Sequence, residues 1–300
     1  MKTFKATVSR LPGLRSALAL VTVPLLVLWL AGCAAALNAA TSSVGYQSTG
    51  DIRYMDGSRG TYDLYVPDGA TGDTPVVVFI HGGSWADGSK DTYPFLGQAL
   101  ASQGIIVAIP NYRLYPEVRF PGFIEDAAKA TAAIARDVRR GAHGVPAGEH
   151  RLFLMGHSAG AQIAGLLVTD ESWLAAQSFP ADGIAGFIGL AGPYDFLPLT
   201  EERYRRVFPA ETLAATQPIA FVDGGEPPML LISGEADTVV DPQNTRSLAA
   251  EARSKGVPVE ERLYPGVSHI GVITAFATAI PFQDDAIPAA TIAFIREHGR

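Results

Sequence analysis

Ser158, Asp237 and His269 have types and a chain order suited to covalent acyl transfer. Ser158 sits in Gly156-His157-Ser158-Ala159-Gly160, between the largely apolar run Arg151–Met155 and the helix-like stretch Ala161–Val168. A serine hydroxyl is a poor nucleophile at neutral pH and needs a base to take its proton as it attacks. His269 can be that base, and afterwards the acid that protonates the leaving group. Asp237 can hold the imidazole in the required tautomer and stabilise the imidazolium formed during attack. Asp237 follows the apolar run Pro228–Ser233, and His269 follows Val259–Tyr264. In open sheets of parallel strands, ligands bind beyond the carboxyl ends of the strands, so these loops are expected to converge.

A serine flanked by glycines two residues away on each side, at a strand-to-helix junction, fits a nucleophile elbow. The tight turn forces the serine into strained backbone angles, and the glycines let the two segments approach closely. It also brings the unpaired N–H groups of the helix start beside the reacting carbon. The oxyanion that forms there needs donors, and the backbone N–H groups of Gly82, Gly83 and Ala159 are predicted to supply them. Losing one such donor typically costs roughly 3–4 kcal/mol of transition-state stabilisation. His81 is expected to hold the oxyanion loop by hydrogen bonds, and His157 to point away from the serine. Asp241 is an alternative acid four residues beyond Asp237, but before Pro242 it reads as a helix N-cap. Trp85 and Tyr194 follow strand ends and are expected to line a substrate cleft; most other aromatic residues read as core. No metal-ligand spacing of Cys or His occurs, so no metal and no organic cofactor is expected.

These motifs carry a family resemblance. The chain resembles α/β-hydrolase carboxylesterases of the hormone-sensitive-lipase-like and bacterial feruloyl/acetyl-esterase-like group, from about Tyr46 to the C-terminus. The markers are His81-Gly82-Gly83, Asn111-Tyr112-Arg113-Leu114-Tyr115-Pro116-Glu117 followed by Phe120-Pro121, Glu125-Asp126-Ala127, the serine pentapeptide, Gly234-Glu235-x-Asp237-x-x-Val240 and Pro265-Gly266-x-x-His269. Ser84 stands where many members have a third glycine. The resemblance implies an α/β-hydrolase fold, a mostly parallel central sheet covered by helices on both faces. It implies a serine carboxylic-ester hydrolase acting through an acyl-enzyme on small or short-chain esters. An exported peptidase, amidase or lipase on the same fold is the alternative, and a non-catalytic surface lipoprotein is a rival of another class. Peptidases of the prolyl-oligopeptidase type usually carry a further glycine where this chain has Ala161.

The elements that must position these residues follow from periodicity. Tyr46–Tyr54 and Thr61–Val66 read as two exposed edge strands joined through Asp56-Gly57-Ser58. Val76–Ile80, Ile105–Ile109 and Ile184–Leu190 are short apolar runs, the pattern of strands buried on both faces. Phe123, Ala127, Ala130, Ile134 and Val138 recur at helical spacing. Asn244–Lys255 and Asp285–Arg296 read as late helices. Residues 195–225 interrupt the rhythm and are expected to form a small cap.

The chain has 300 residues, 48% hydrophobic and 18% charged, which suits one catalytic domain over residues 46–300. A net charge of -7 without basic clusters argues against a nucleic-acid partner. Residues 1–32 read as a lipoprotein signal peptide: Lys2, Lys5, Arg10 and Arg15 precede the apolar Ala17–Ala31 segment. That segment is shorter than the ~20 residues of a spanning helix. It ends in Leu30-Ala31-Gly32-Cys33, which resembles the bacterial lipobox, so the single cysteine is expected to carry the lipid. Residues 33–45 then form a tether. The expected partners are a small-molecule ester and a membrane, on the exported side. The residue after Cys33, Ala34, resembles the pattern sorted to an outer membrane.

Overall fold

The computed structural model of the chain describes residue 38, residues 43–279 and residues 285–300. Residues 1–32, read as a signal peptide, Cys33 and most of residues 34–45, read as a tether, lie outside the described residues. Eight strands form one sheet in the order β1-β2-β4-β3-β5-β6-β7-β8. They are β1 (Tyr46–Arg53), β2 (Thr61–Pro67), β3 (Val76–Ile80), β4 (Ile106–Pro110), β5 (Leu152–His157), β6 (Ile184–Leu190), β7 (Met229–Gly234) and β8 (Val259–Tyr264). β1 and β2 pair antiparallel, as do β2 and β4; the strands from β3 to β8 run parallel.

The α-helices are α1 (Pro94–Ala101), α2 (Gly122–Arg139), α3 (Ala159–Thr169), α4 (Ser172–Ala175), α5 (Glu202–Val207), α6 (Gln243–Ser254), α7 (His269–Thr274) and α8 (Ala286–His298). Alternation along the strands splits the core in two. Val76, Val78 and Ile80 pack with Phe123 and Ile134 of α2, Ile163 and Leu166 of α3, and Leu248 of α6. Val77 and Phe79 face Leu96 and Leu100 of α1 and Phe294 and Ile295 of α8. Strands β3, β4, β5 and β7 are therefore buried along their whole length, which is why they read as unbroken apolar runs. This is the α/β-hydrolase architecture that the motifs imply.

Boundaries agree to within two residues; around the serine β5 runs on to His157 and α3 begins at Ala159, so the elbow has no spare linker. Helix α1 is absent from the periodicity reading. All its residues but Pro94 are buried, so it has no polar face to set a period, and its only local signal is Pro94 at the helix start. Asp241 behaves as expected of a cap: its Oδ1 accepts the Gln243 N–H at 2.9 Å, and Pro242 already has helical φ and ψ of -54° and -16°.

Residues 195–225 contain α5 and the 3-10 turns Ala210–Thr216 and Pro218–Phe221. They are fastened down at several points. Phe120 N–H donates to Val207 O at 3.1 Å. Gln162 of α3 donates to Thr216 O at 2.8 Å, and within the segment Gln217 Oε1 accepts the Phe196 N–H at 2.7 Å. On the neighbouring surface, the Arg113 guanidinium clasps the fully buried Asp126 of α2 through bonds of 2.7 Å from Nε and Nη2, and Arg113 N–H adds a third at 3.0 Å. That pair explains the spacing of the Asn111-Tyr112-Arg113 and Glu125-Asp126 motifs: it pins the loop after β4 to α2.

Candidate active site

The parallel strands all end at one edge of the sheet, and the loops after β3, β5, β7 and β8 carry Gly82, Ser158, Asp237 and His269 there. Ser158 has φ 55° and ψ -125°, a region costly for a residue with a side chain. A Cβ on Gly156 would lie 2.3 Å from Gly160 O, and one on Gly160 would lie 2.0 Å from Ile80 O. Both flanking positions thus admit only glycine.

His269 Nδ1–H donates to Asp237 Oδ2 at 2.7 Å, which leaves Nε2 free to act as a base. Burial works against ionisation of Asp237. The bond from His269, its charge, and the Val240 and Val239 N–H groups outweigh it and hold the carboxyl below its ordinary range. Asp241 is spent on the start of α6 and is not part of this set.

His157, the residue before the serine, is buried with its ring centroid 4.8 Å from that of His269, and its Nε2–H donates to His269 O at 3.1 Å. Its ring thus packs against that of His269 and braces the backbone of that residue. Its Nδ1 is buried without a partner among the described residues. Burial, with the nearby His269 charge, lowers His157 to about 3, so it stays neutral.

The oxyanion loop is held from behind. His81 is fully buried, stacks on Tyr112 at 4.4 Å between centroids, and donates from Nδ1 to Gly82 O at 2.8 Å. Burial lowers it to about 4. Tyr112 Oη donates to His81 O at 2.7 Å. Arg59, from the turn between β1 and β2, donates to Tyr112 O at 2.6 Å and Gly88 O at 2.8 Å. Lys90 sits buried at the loop's far end, bonded to Asp51 at 2.9 Å and Asp63 at 2.8 Å. Arg59 and Lys90 carry no motif; apart from Asp91 beside Lys90, their partners lie tens of residues away, so no local pattern marks them.

The Gly82, Gly83 and Ala159 N–H groups have no backbone acceptor among the described residues. Two sequence expectations need correction here. Trp85 does not line an open cleft. It is 4% exposed, bonded through Nε1 to Gln162 Oε1 at 2.9 Å, with Phe196, Tyr204 and Phe208 around its ring at 5.9, 5.8 and 4.7 Å. Tyr194 is fully buried, edge-on to Phe187 at 6.2 Å. Both follow strand ends, but residues 195–225 fold over them. Among the described residues no group of three or more His, Cys, Asp or Glu is placed to hold a metal ion.

The two buried neutral imidazoles predict a pH dependence of stability. Their folded pKa values, about 4 and about 3, lie below the unfolded value of 6.5, so the unfolded state takes up protons first. Stability is complete above pH 6.5 and falls as the pH drops toward the folded values, by at most about 1.4 kcal/mol per pH unit for each histidine. Denaturant unfolding at pH 7, 6 and 5 should show this fall, with a shallower slope in His157→Gln. A flat profile over that range would exclude it.

Comparison with known proteins places this arrangement. A probable isoprenylcysteine alpha-carbonyl methylesterase of Arabidopsis thaliana is 30% identical over 247 residues, covering 73% of this chain and 50% of that protein. A kynurenine formamidase of Salmo salar is 26% identical over 193 residues, covering 63% of this chain and 60% of its own. The chain spans about half the length of the first of these relatives. Esterase B from Lactobacillus rhamnosis, solved with a C4-C4 tributyrin phosphonate, has the same fold, with a TM-score of 0.76 at 19% identity over 94% of this chain and 96% of that one. The BD-FAE family profile matches residues 62–251, from β2 through the serine elbow, the acid and most of α6. With the elbow, the buried Arg113–Asp126 clasp and the His269–Asp237 pair inside or beside that match, the chain belongs to the BD-FAE family.

Proposed function

We propose that the protein is a serine carboxylic-ester hydrolase that works through an acyl-enzyme on small or short-chain esters. The observation that carries this reading is the 2.7 Å His269–Asp237 bond beside a serine strained onto an elbow. His269 Nε2 takes the Ser158 proton as Oγ bonds to the carbonyl carbon, and the carbonyl electron pair moves onto oxygen. The Gly82, Gly83 and Ala159 N–H groups hold that oxyanion. Collapse breaks the ester C–O bond, and Nε2–H protonates the departing alkoxide. Water then enters, gives its proton to Nε2, and releases the acid by the reverse steps.

The short-acyl reading is supported by the aromatic packing around Trp85, which fills the space beside the oxyanion loop, and by the C4 inhibitor of the similar esterase B. Turnover on a p-nitrophenyl series should peak between acetyl and butyryl. A maximum at long-chain acylglycerols would make this a lipase, with residues 195–225 as its lid. A second reading, hydrolysis of a formamide, is favoured by the similarity to kynurenine formamidases. An aryl formamide therefore belongs in the same panel, and a kcat/KM above that of every ester would replace the ester reading.

The N-terminal reading completes the proposal. Cys33 carries a diacylglyceryl group and holds the exported domain on a membrane, an outer membrane where the cell has one. Two chains anchor firmly where one gives only reversible attachment. Intact mass of the mature protein should show a chain beginning at lipidated Cys33, and Cys33→Ser should prevent that processing. A mature chain beginning elsewhere, or an unmodified Cys33, would make the segment a plain secretory signal or an anchor.

A further inference from the structure

Asn38 precedes the first strand by eight residues, yet its side chain is docked on the domain. Nδ2 donates to Asp91 O at 3.2 Å and Thr92 O at 3.4 Å, and Oδ1 accepts the Phe95 N–H at 3.1 Å. Phe95 is in the first turn of α1, where the residue at the cap position, Tyr93, makes no side-chain capping bond. Asn38 thus satisfies a helix-start donor from far away in sequence. The backbone it grips flanks Tyr93, whose ring lies 5.1 Å from that of Phe79 and 6.3 Å from that of His81. The docking point is therefore at the end of the sheet that bears the oxyanion loop.

The chain enters the sheet at the opposite end. Tyr62, near the start of β2, pairs with Pro110, the last residue of β4, on the active-site edge. Tyr46 pairs with Pro67, at the far end of β2. A tether leaving from Tyr46 alone would reach Cys33 across thirteen residues from the base of the domain, up to about 47 Å. With Asn38 docked, only four residues lie between it and Cys33, a chain length of at most about 18 Å from the active-site end. Val239, 53% exposed and two residues beyond Asp237, presents an apolar side chain on the same end.

We propose that Asn38 turns the mouth of the active site toward the membrane that holds Cys33, so that the esters within its reach are those carried at the bilayer surface. This rests on the lipidated-Cys33 reading given above. The contact converts a lipid anchor at the base, which would point the site into solvent, into one beside the oxyanion loop. It names a class of substrate, an ester presented by a lipid surface, and assigns the choice to position rather than to the acyl pocket.

The test uses the full chain processed in a lipoprotein-competent bacterial host and reconstituted in phosphatidylcholine vesicles containing a spin-labelled lipid as quencher. Intact mass first establishes the state of Cys33. A fluorophore on Val239→Cys reports the mouth, and one on Glu149→Cys, just before β5 and with its side chain 89% exposed, reports the base. The expected result is at least threefold stronger quenching at 239 than at 149. Asn38→Ala should bring that ratio toward one and slow hydrolysis of a fluorogenic ester embedded in the same vesicles at least threefold. Its rate on a soluble acetate ester should not change, which also shows that the variant is folded. Equal quenching at the two labels of the lipidated protein overturns the orientation and leaves the lipid reading standing. So does an Asn38→Ala variant that keeps either the parent ratio or the parent vesicle rate, or that loses as much on the soluble acetate. A Cys33 without lipid overturns both.

Discussion

Ser158→Ala is expected to lower ester turnover by roughly 10⁴- to 10⁶-fold, the scale of loss when the nucleophile of a serine triad is removed. The fold should survive. Alanine keeps the Cβ, so the strain of the elbow at φ 55° is unchanged, and the Ser158 N–H still donates to Leu190 O at 2.9 Å. An organophosphonate should add one phosphonyl group to the parent protein, on Ser158, and none to the variant. The measurements are single-turnover kinetics and peptide mass mapping. Label on another residue, or a variant with parent-like turnover, would remove Ser158 from the nucleophile's role.

The second large effect separates the two acids. Asp237→Asn is expected to reduce kcat by about 10⁴-fold, because the neutral amide no longer fixes the imidazole with its proton on Nδ1. Asp237 Oδ1 also accepts the Val239 and Val240 N–H groups at 2.8 and 2.9 Å, and an asparagine oxygen can keep both bonds. The loss should therefore appear in kcat with only a small change in unfolding free energy. Asp241→Asn should show the complementary pattern, near-parent turnover with at most about 1 kcal/mol of destabilisation from a weakened helix start. If activity falls with Asp241→Asn and not with Asp237→Asn, the acid is Asp241 and the His269–Asp237 bond is structural.

Both variants are legible from the chain alone because each rests on local rules. The elbow needs glycines two residues to either side of the serine since the turn brings Gly156 against Gly160 and Gly160 against Ile80, contacts that any Cβ would break. Asp241 before Pro242 announces a helix start in two residues. The order serine, acid, histidine, each past an apolar run, needs only that the strands be parallel. The resemblance to carboxylesterases sharpened the fold expectation but concerned the same local motifs.

Other expectations depended on what lies across space. Trp85 and Tyr194 follow strand ends, and an aromatic residue there can open a cleft or close a core. Phe196, Tyr204 and Phe208 decide for the core at Trp85, and they lie more than 100 residues further along the chain.

By itself, then, the sequence determined the chemistry on offer and the strand ends at which it is placed. Elbows, caps and buried strands are short-range consequences of sterics and of backbone hydrogen bonding. The tertiary structure decided how those parts are braced: Arg59 behind the oxyanion loop, His157 under the backbone of His269, Lys90 between Asp51 and Asp63, and Asn38 on the start of α1. Each is a polar side chain whose partner is remote in sequence. Such contacts form only because burial in the assembled fold makes an unpaired polar group costly, and that requirement leaves no periodicity or motif in the chain.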